Sequence, residues 1–169
     1  MTTDQGKQPG GSSDPLSLDD QMCFALYAAS RAVTNAYRPI LEDLGLTYPQ
    51  YLVMLALWER GACAIKDLGV ALQLDYGTLT PLLKRLEAAG HIRRERRSDD
   101  ERSVHVTLTD SGRALRDRAE EIPPVMSRLM GLPADDFDTL RTLLRRLTAS
   151  VSDGRAELVE SRRPSGVRR

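Results

Sequence analysis

The stretch from Leu74 to Thr109 constrains this chain more than any other. Asp75 precedes Tyr76-Gly77-Thr78-Leu79-Thr80-Pro81 and is placed to N-cap a helix whose apolar positions, Leu79, Leu82, Leu83 and Leu86, share one face. Gly90 follows Ala88-Ala89 as a C-cap. Two short alternating runs, His91 to Arg97 and Ser103 to Leu108, then flank a polar tip, Ser98 to Arg102, in the manner of a hairpin. Upstream, Ile65, Leu68, Ala71 and Leu72 mark a shorter helix, joined to the next by the tight Gln73-Leu74-Asp75 connection. Off its apolar face the second helix carries hydroxyls and cations, and the hairpin is basic. Two such helices and a basic hairpin predict a winged helix-turn-helix that meets duplex DNA.

Charge must be local to serve that purpose, because Lys plus Arg equals Asp plus Glu at 24 each. His91 to Arg97 supplies it, with four arginines against one glutamate, the excess that releases counterions from a phosphate backbone. Without the helix before it, the same run would read as a solvated charged hairpin. No apolar run reaches the roughly 18 residues of a membrane span, and the N-terminus lacks a signal-peptide core, which predicts a soluble, cytoplasmic protein with no membrane partner. Cys23 and Cys63 are too few and too scattered for a disulfide framework or a structural zinc site. His91 and His105 alternate within the hairpin as surface or strand residues. Neither a metal nor a cofactor nor an enzymatic site is expected.

The 169 residues suit one mostly α domain with a small β-hairpin wing, a helical dimerisation region and two tails. Residues 1–15 and the basic stretch 154–169 have little to bury and are expected to be disordered. Between them lie dimerisation, sensing and core helices (16–61), the winged DNA-binding region (62–109) and C-terminal dimerisation helices (110–153). The first helix is expected from about Leu18 to Leu44, with Ser17 as N-cap and a bend at Pro39 near Ala36 or Tyr37. Thr47 should cap a second, Tyr48 to Glu59, burying Leu52, Leu55, Ala56 and Trp58, with Tyr48 at its start free to point away. Ala62-Cys63-Ala64 could pair with the hairpin as a short strand. After it, Thr109 should cap a helix to about Met130, kinked at Pro123-Pro124, and a last helix should run from Ala134 to about Ser152.

One stripe of the first helix is unusual. Cys23, Tyr27, Ser30, Thr34 and Tyr37 step by four, three, four and three, aligning a thiol with hydroxyls. Fourteen residues of straight helix separate Cys23 from Tyr37 by about 21 Å, so the two cannot meet within one chain. If both serve one site, two chains build it, and antiparallel packing of two such helices would give an isologous contact. A small buried hydrophobe at Cys23 and ordinary interface packing by the tyrosines fit the same spacing.

The hairpin Asp99-Asp100-Glu101-Arg102 followed by Val104-His105-Val106-Thr107-Leu108-Thr109 is similar to the wing of the MarR family of transcription regulators. Asp20-Gln21-Met22-Cys23-Phe24-Ala25-Leu26-Tyr27, Ala36-Tyr37-Arg38-Pro39, Leu46-Thr47-Tyr48-Pro49-Gln50-Tyr51 and Gly77 to Glu87 resemble its organic-hydroperoxide-sensing branch, OhrR. The likeness spans about residues 16 to 152. It implies a homodimeric repressor in which Cys23 is a peroxide-reactive thiolate, held by Tyr37 and Tyr48 across the dimer with Tyr27 nearby. The sulfenic acid product would then form a mixed disulfide with a low-molecular-weight thiol, since residues 122–144 carry no resolving cysteine; bonding between Cys23 and Cys63 is the alternative. For palindromic operator DNA the resemblance points to the start of the recognition helix at Asp75 and Tyr76, then Thr78, Thr80, Lys84 and Arg85, and to wing residues Arg94, Arg96, Arg97 and Arg102, the last also placed to brace the wing on Asp99 or Asp100. Tyr76 stands where the family pattern has serine. A repressor released by a small phenolic ligand with a structural Cys23, a thiol peroxidase and a DNA-packaging protein are the competing readings.

Overall fold

The computed structural model describes residues 16–97 and 100–161; the expected tail at 1–15, the end of the other at 162–169 and the side chains of Arg97 and Arg102 lie outside what is described. The chain divides between Met126 and Ser127 into two compact units. In the first, α1 (Met22–Glu42) and α2 (Tyr48–Arg60) precede a short strand β1 (Cys63–Ala64), the helix pair α3 (Ile65–Leu72) and α4 (Tyr76–Ala88), the hairpin β2 (Ile92–Arg97) and β3 (Asp100–Leu108), and α5 (Asp110–Ala119). The sheet is antiparallel in the order β1-β3-β2. Cys63 lies opposite Val106 and Ala64 opposite His105, so the expected third strand forms. The core gathers Leu41, Tyr51, Met54, Leu57, Leu68, Leu79, Leu83, Leu86, Ile92, Val106, Ile122 and Met126, all nearly or fully buried. This is the mostly α winged helix-turn-helix that the sequence predicts.

Local chemistry explains the turns that matter. Gly45, at φ +66°, reverses the chain after α1 in the left-handed region that glycine adopts without a Cβ penalty, while Leu46 N–H returns to Leu41 O at 3.2 Å. Gln73, at φ 54°, makes the turn between α3 and α4, and Leu74 N–H closes it on Gly69 O at 2.9 Å. Asp75 caps α4 as expected, its carboxylate accepting from Thr78 N at 2.8 Å and Thr78 Oγ1 at 2.9 Å.

Several expected boundaries differ. Helix α1 begins at Met22 with Gln21 as its N-cap, so Ser17 caps nothing. It also continues past Pro39 to Glu42: the proline withholds a hydrogen bond from the Asn35 carbonyl, but fully buried Leu41 anchors the turn beyond it. In α2 the buried positions are Gln50, Tyr51, Val53, Met54, Ala56 and Leu57, leaving Leu55 39% exposed. The expected helix after the wing is two, α5 and α6 (Ile122–Met130). Pro123 and Pro124 cannot donate to the carbonyls of Ala119 and Glu120, so the break falls ahead of them and they occupy the first turn of α6, where missing N–H groups are tolerated.

In the second unit, α7 (Ala134–Ser161) runs nine residues beyond its expected end at Ser152. The stretch 154–161, read from its charge as tail, is therefore helical. Arg155, Ala156, Glu157, Leu158 and Glu160 are strong helix formers, and charge by itself does not stop a helix.

Candidate redox site and nucleic-acid interface

The corrected start of α1 makes Cys23 its second residue, in the first turn, exposed and with a free thiol. Tyr27 is 57% exposed one turn on; its hydroxyl accepts from Arg31 Nη1 at 3.0 Å, and the same guanidinium lies 5.5 Å over its ring. Tyr37 is far along the helix from the sulfur but not alone. Gly45 turns the chain back, and Gln50 Oε1 accepts from both the N–H of Thr47, at 2.8 Å, and its hydroxyl, at 2.9 Å, pinning the first turn of α2. Tyr48, the first residue of α2, is thereby laid against Tyr37 with ring centroids 4.5 Å apart.

Burial raises the pKa of both phenols, and for Tyr37 the neighbouring Tyr48 adds to it. Each therefore keeps its proton at neutral pH and can donate to an anion. The fold thus unites Tyr37 with Tyr48 within one protomer and leaves Cys23 and Tyr27 at the other end of α1. Sequence reasoning did not single out Tyr51, which lies 5.8 Å from Tyr37, or the role of Trp58, 6.2 Å from Tyr51. The spacing of Tyr48 and Tyr51, three residues apart on one helix, carried that signal.

In the candidate nucleic-acid interface, Leu79, Leu82, Leu83 and Leu86 bury one face of α4, and Tyr76, Thr78, Lys84 and Arg85 are exposed. Thr78 already spends its hydroxyl proton on Asp75, so only its acceptor capacity faces outward. Thr80 is half-buried and its hydroxyl is turned inward without a hydrogen-bond partner among the described residues. In the wing, Arg96 is exposed, whereas Arg94 is held by Glu87 of α4: its Nε donates to Oε2 at 2.8 Å and its backbone N–H to Oε1 at 2.9 Å. Those bonds keep the Glu87 carboxyl below its ordinary range. This clamp, which joins recognition helix to wing, was also missed in the sequence; it fixes the angle at which both present cations.

A second apolar surface belongs to the two units separately. Met22, Phe24 and Tyr27 on α1 are exposed, and so are Leu140, Leu143, Leu144, Leu147, Val151 and Leu158 on α7. Among the described residues no helix is long and apolar enough to cross a membrane.

Known proteins share this arrangement. The family profile described as transcriptional regulator SarA/Rot matches residues 35–119. The regulator TtmR of Methylorubrum extorquens is 50% identical over 143 residues, 85% of this chain and 71% of that protein. The organic hydroperoxide resistance transcriptional regulator of Bacillus subtilis is 45% identical over 138 residues, 82% of this chain and 94% of that protein. Among solved structures, reduced AbfR bound to DNA superposes with a TM-score of 0.68 at 36% identity, covering 80% of this chain and 93% of that one. On these grounds, with a winged helix-turn-helix preceded by two helices and followed by three, the chain belongs to the MarR family of transcription regulators.

Proposed function

We propose that this regulator is a homodimeric repressor that binds a palindromic operator when reduced and releases it when Cys23 is oxidised by an organic hydroperoxide. The pairing of Tyr37 with Tyr48 at 4.5 Å carries the reading. Two protonated phenols side by side form a donor pair suited to an anion, and the chain's own sulfur is about 21 Å away along α1, so the anion is the Cys23 thiolate of a second copy. The exposed apolar stripes on α1 and α7 are the surfaces that such a dimer would cover.

The chemistry balances without a cofactor. The Cys23 thiolate attacks the terminal oxygen of the hydroperoxide, the O–O bond breaks, and the alkoxide takes a proton to leave as an alcohol; sulfur is oxidised to the sulfenic acid as the peroxide is reduced. A low-molecular-weight thiol then displaces water to form a mixed disulfide. Loss of the anion removes the partner that holds Tyr37 and Tyr48, and the dimer shifts so that the two recognition helices no longer match successive major grooves. In the DNA-bound state Tyr76, Thr78, Lys84 and Arg85 face the major groove, Arg96 and Arg97 reach phosphates or the minor groove, Thr80 makes its contact only after its hydroxyl rotates outward, and Asp75, Arg94 and Arg102 hold the helix and wing in position.

Cumene hydroperoxide added with a small thiol should release the wild-type protein from its operator and leave Cys23→Ser bound, with an adduct on Cys23 by intact mass. Release of the serine variant would remove the redox reading and favour regulation by a bound small molecule.

A further inference from the structure

The ring contacts do not stop at the phenol pair. From Tyr37 they pass to Tyr51, 2% exposed, and from Tyr51 edge-on to Trp58, whose Nε1 donates a 2.9 Å hydrogen bond to the carbonyl of Gly112 in α5. Gly112 has no room for a side chain, because a Cβ there would stand 2.0 Å from the carbonyl oxygen of His91. His91 is the hinge between recognition helix and wing: its N–H donates to Leu86 O at 3.0 Å, and its carbonyl accepts from Thr109 N at 3.1 Å. Thr109 in turn donates its hydroxyl to Gly90 O at 2.6 Å and caps α5 through Gly112 N at 3.0 Å. A continuous line of close contacts thus joins Tyr37 to the turn that sets the wing against α4.

We propose that Trp58 is a positioning residue that transmits the state of the Tyr37–Tyr48 pair, through Tyr51, to the Gly112–His91 contact at the base of the wing. The inference rests on the redox reading above and adds the route by which it reaches DNA. Flat rings with few rotatable bonds take up little displacement themselves, and the middle one, Tyr51, is packed in the interior, so a shift of Tyr37 is passed on. The indole hydrogen bond makes the last link directional, since it pulls on a backbone carbonyl of α5 rather than on a mobile side chain.

Trp58→Phe in the full chain tests this, because phenylalanine keeps a ring in place and removes only the donor and one ring's width. The probe is a palindromic duplex selected by the reduced wild-type protein, and the oxidant is cumene hydroperoxide with a small thiol. Reduced wild type and variant should bind within about threefold of each other, and Cys23 should be modified to the same extent in both by mass. On oxidation the wild type should lose ~100-fold in affinity, in the upper part of the usual range of allosteric coupling, and the variant less than about fivefold. Equal losses would overturn the proposal and leave the redox reading standing. A wild-type protein modified at Cys23 that keeps its operator would remove both. Trp58 is the sole tryptophan, so its emission in the DNA-free wild type gives a second measurement that does not depend on the variant's folding. The emission should change at the rate of Cys23 modification, and a constant emission would also overturn the proposal.

Discussion

Glu87 and Tyr51 show how single residues set the conditions under which this fold holds. Arg94 keeps the Glu87 carboxyl below its ordinary value of 4.5, so the clamp contributes fully above that pH and is lost as pH falls through the lower value of the folded chain. The protection of the Arg94 amide, taken from NMR exchange corrected for the intrinsic rate, should therefore fall as pH drops below 4.5, and Glu87→Gln, which has no carboxyl to protonate, should lack that pH step. The pair is partly solvent-exposed, so the substitution should lower stability by no more than about 1 kcal/mol while widening the spread of wing orientations. Tyr51 has the opposite sign. Burial first, and then the neighbouring Tyr37 and Tyr48, push its phenol up to about 12, so its contribution is intact below the ordinary value of 10.0 and disappears as pH rises through about 12. A phenolate absorbance titration should contain a late component near 12 that coincides with alkaline unfolding and is missing in Tyr51→Phe.

At the scale of the element, the junction of β2 with α5 depends on an absent side chain. Gly112→Ala would drive its Cβ into the His91 carbonyl, which is backbone and cannot swing aside, so denaturant melts should show a loss of about 1–3 kcal/mol and operator binding should weaken with it. How much of this architecture could be read from the sequence depended on the range of the forces involved. The Asp75 cap, the Gly45 reversal and the alternation that buries Ile92 and Val106 are local signals, and the chain obeys them. Pro39 is local too, yet tertiary burial of Leu41 overrides it. Leu55 misled because α2 is apolar on more than one side, and only its neighbours decide which side is inward. The Trp58 bond to Gly112 joins residues 54 apart, and no spacing rule reaches that far. The candidate site was half legible for the same reason: the stripe of Cys23, Tyr27 and Tyr37 follows one helix, whereas the meeting of Tyr37 with Tyr48 required the turn between two.

Over the whole molecule, the redox reading requires two chains, and that requirement is open to direct measurement. Leu144 is exposed on α7 between Leu140 and Leu147. Leu144→Glu should convert a dimer to a monomer in sedimentation at micromolar concentration and weaken operator binding by at least ~100-fold, because a monomer engages only one half-site. An unchanged sedimentation profile would move the dimer interface elsewhere. The chain's two sulfurs also differ in a way that bears on how it can be handled. Burial and Asp67 outweigh Arg60 in raising the Cys63 thiol above its ordinary range, and the strand that holds it pairs with β3, whereas within its own chain Cys23 is exposed. A maleimide dye applied briefly near neutral pH should thus reach Cys23 ahead of Cys63, and because that sulfur is the one the redox reading seats between subunits, the dye should drive the protein off its operator as oxidation does.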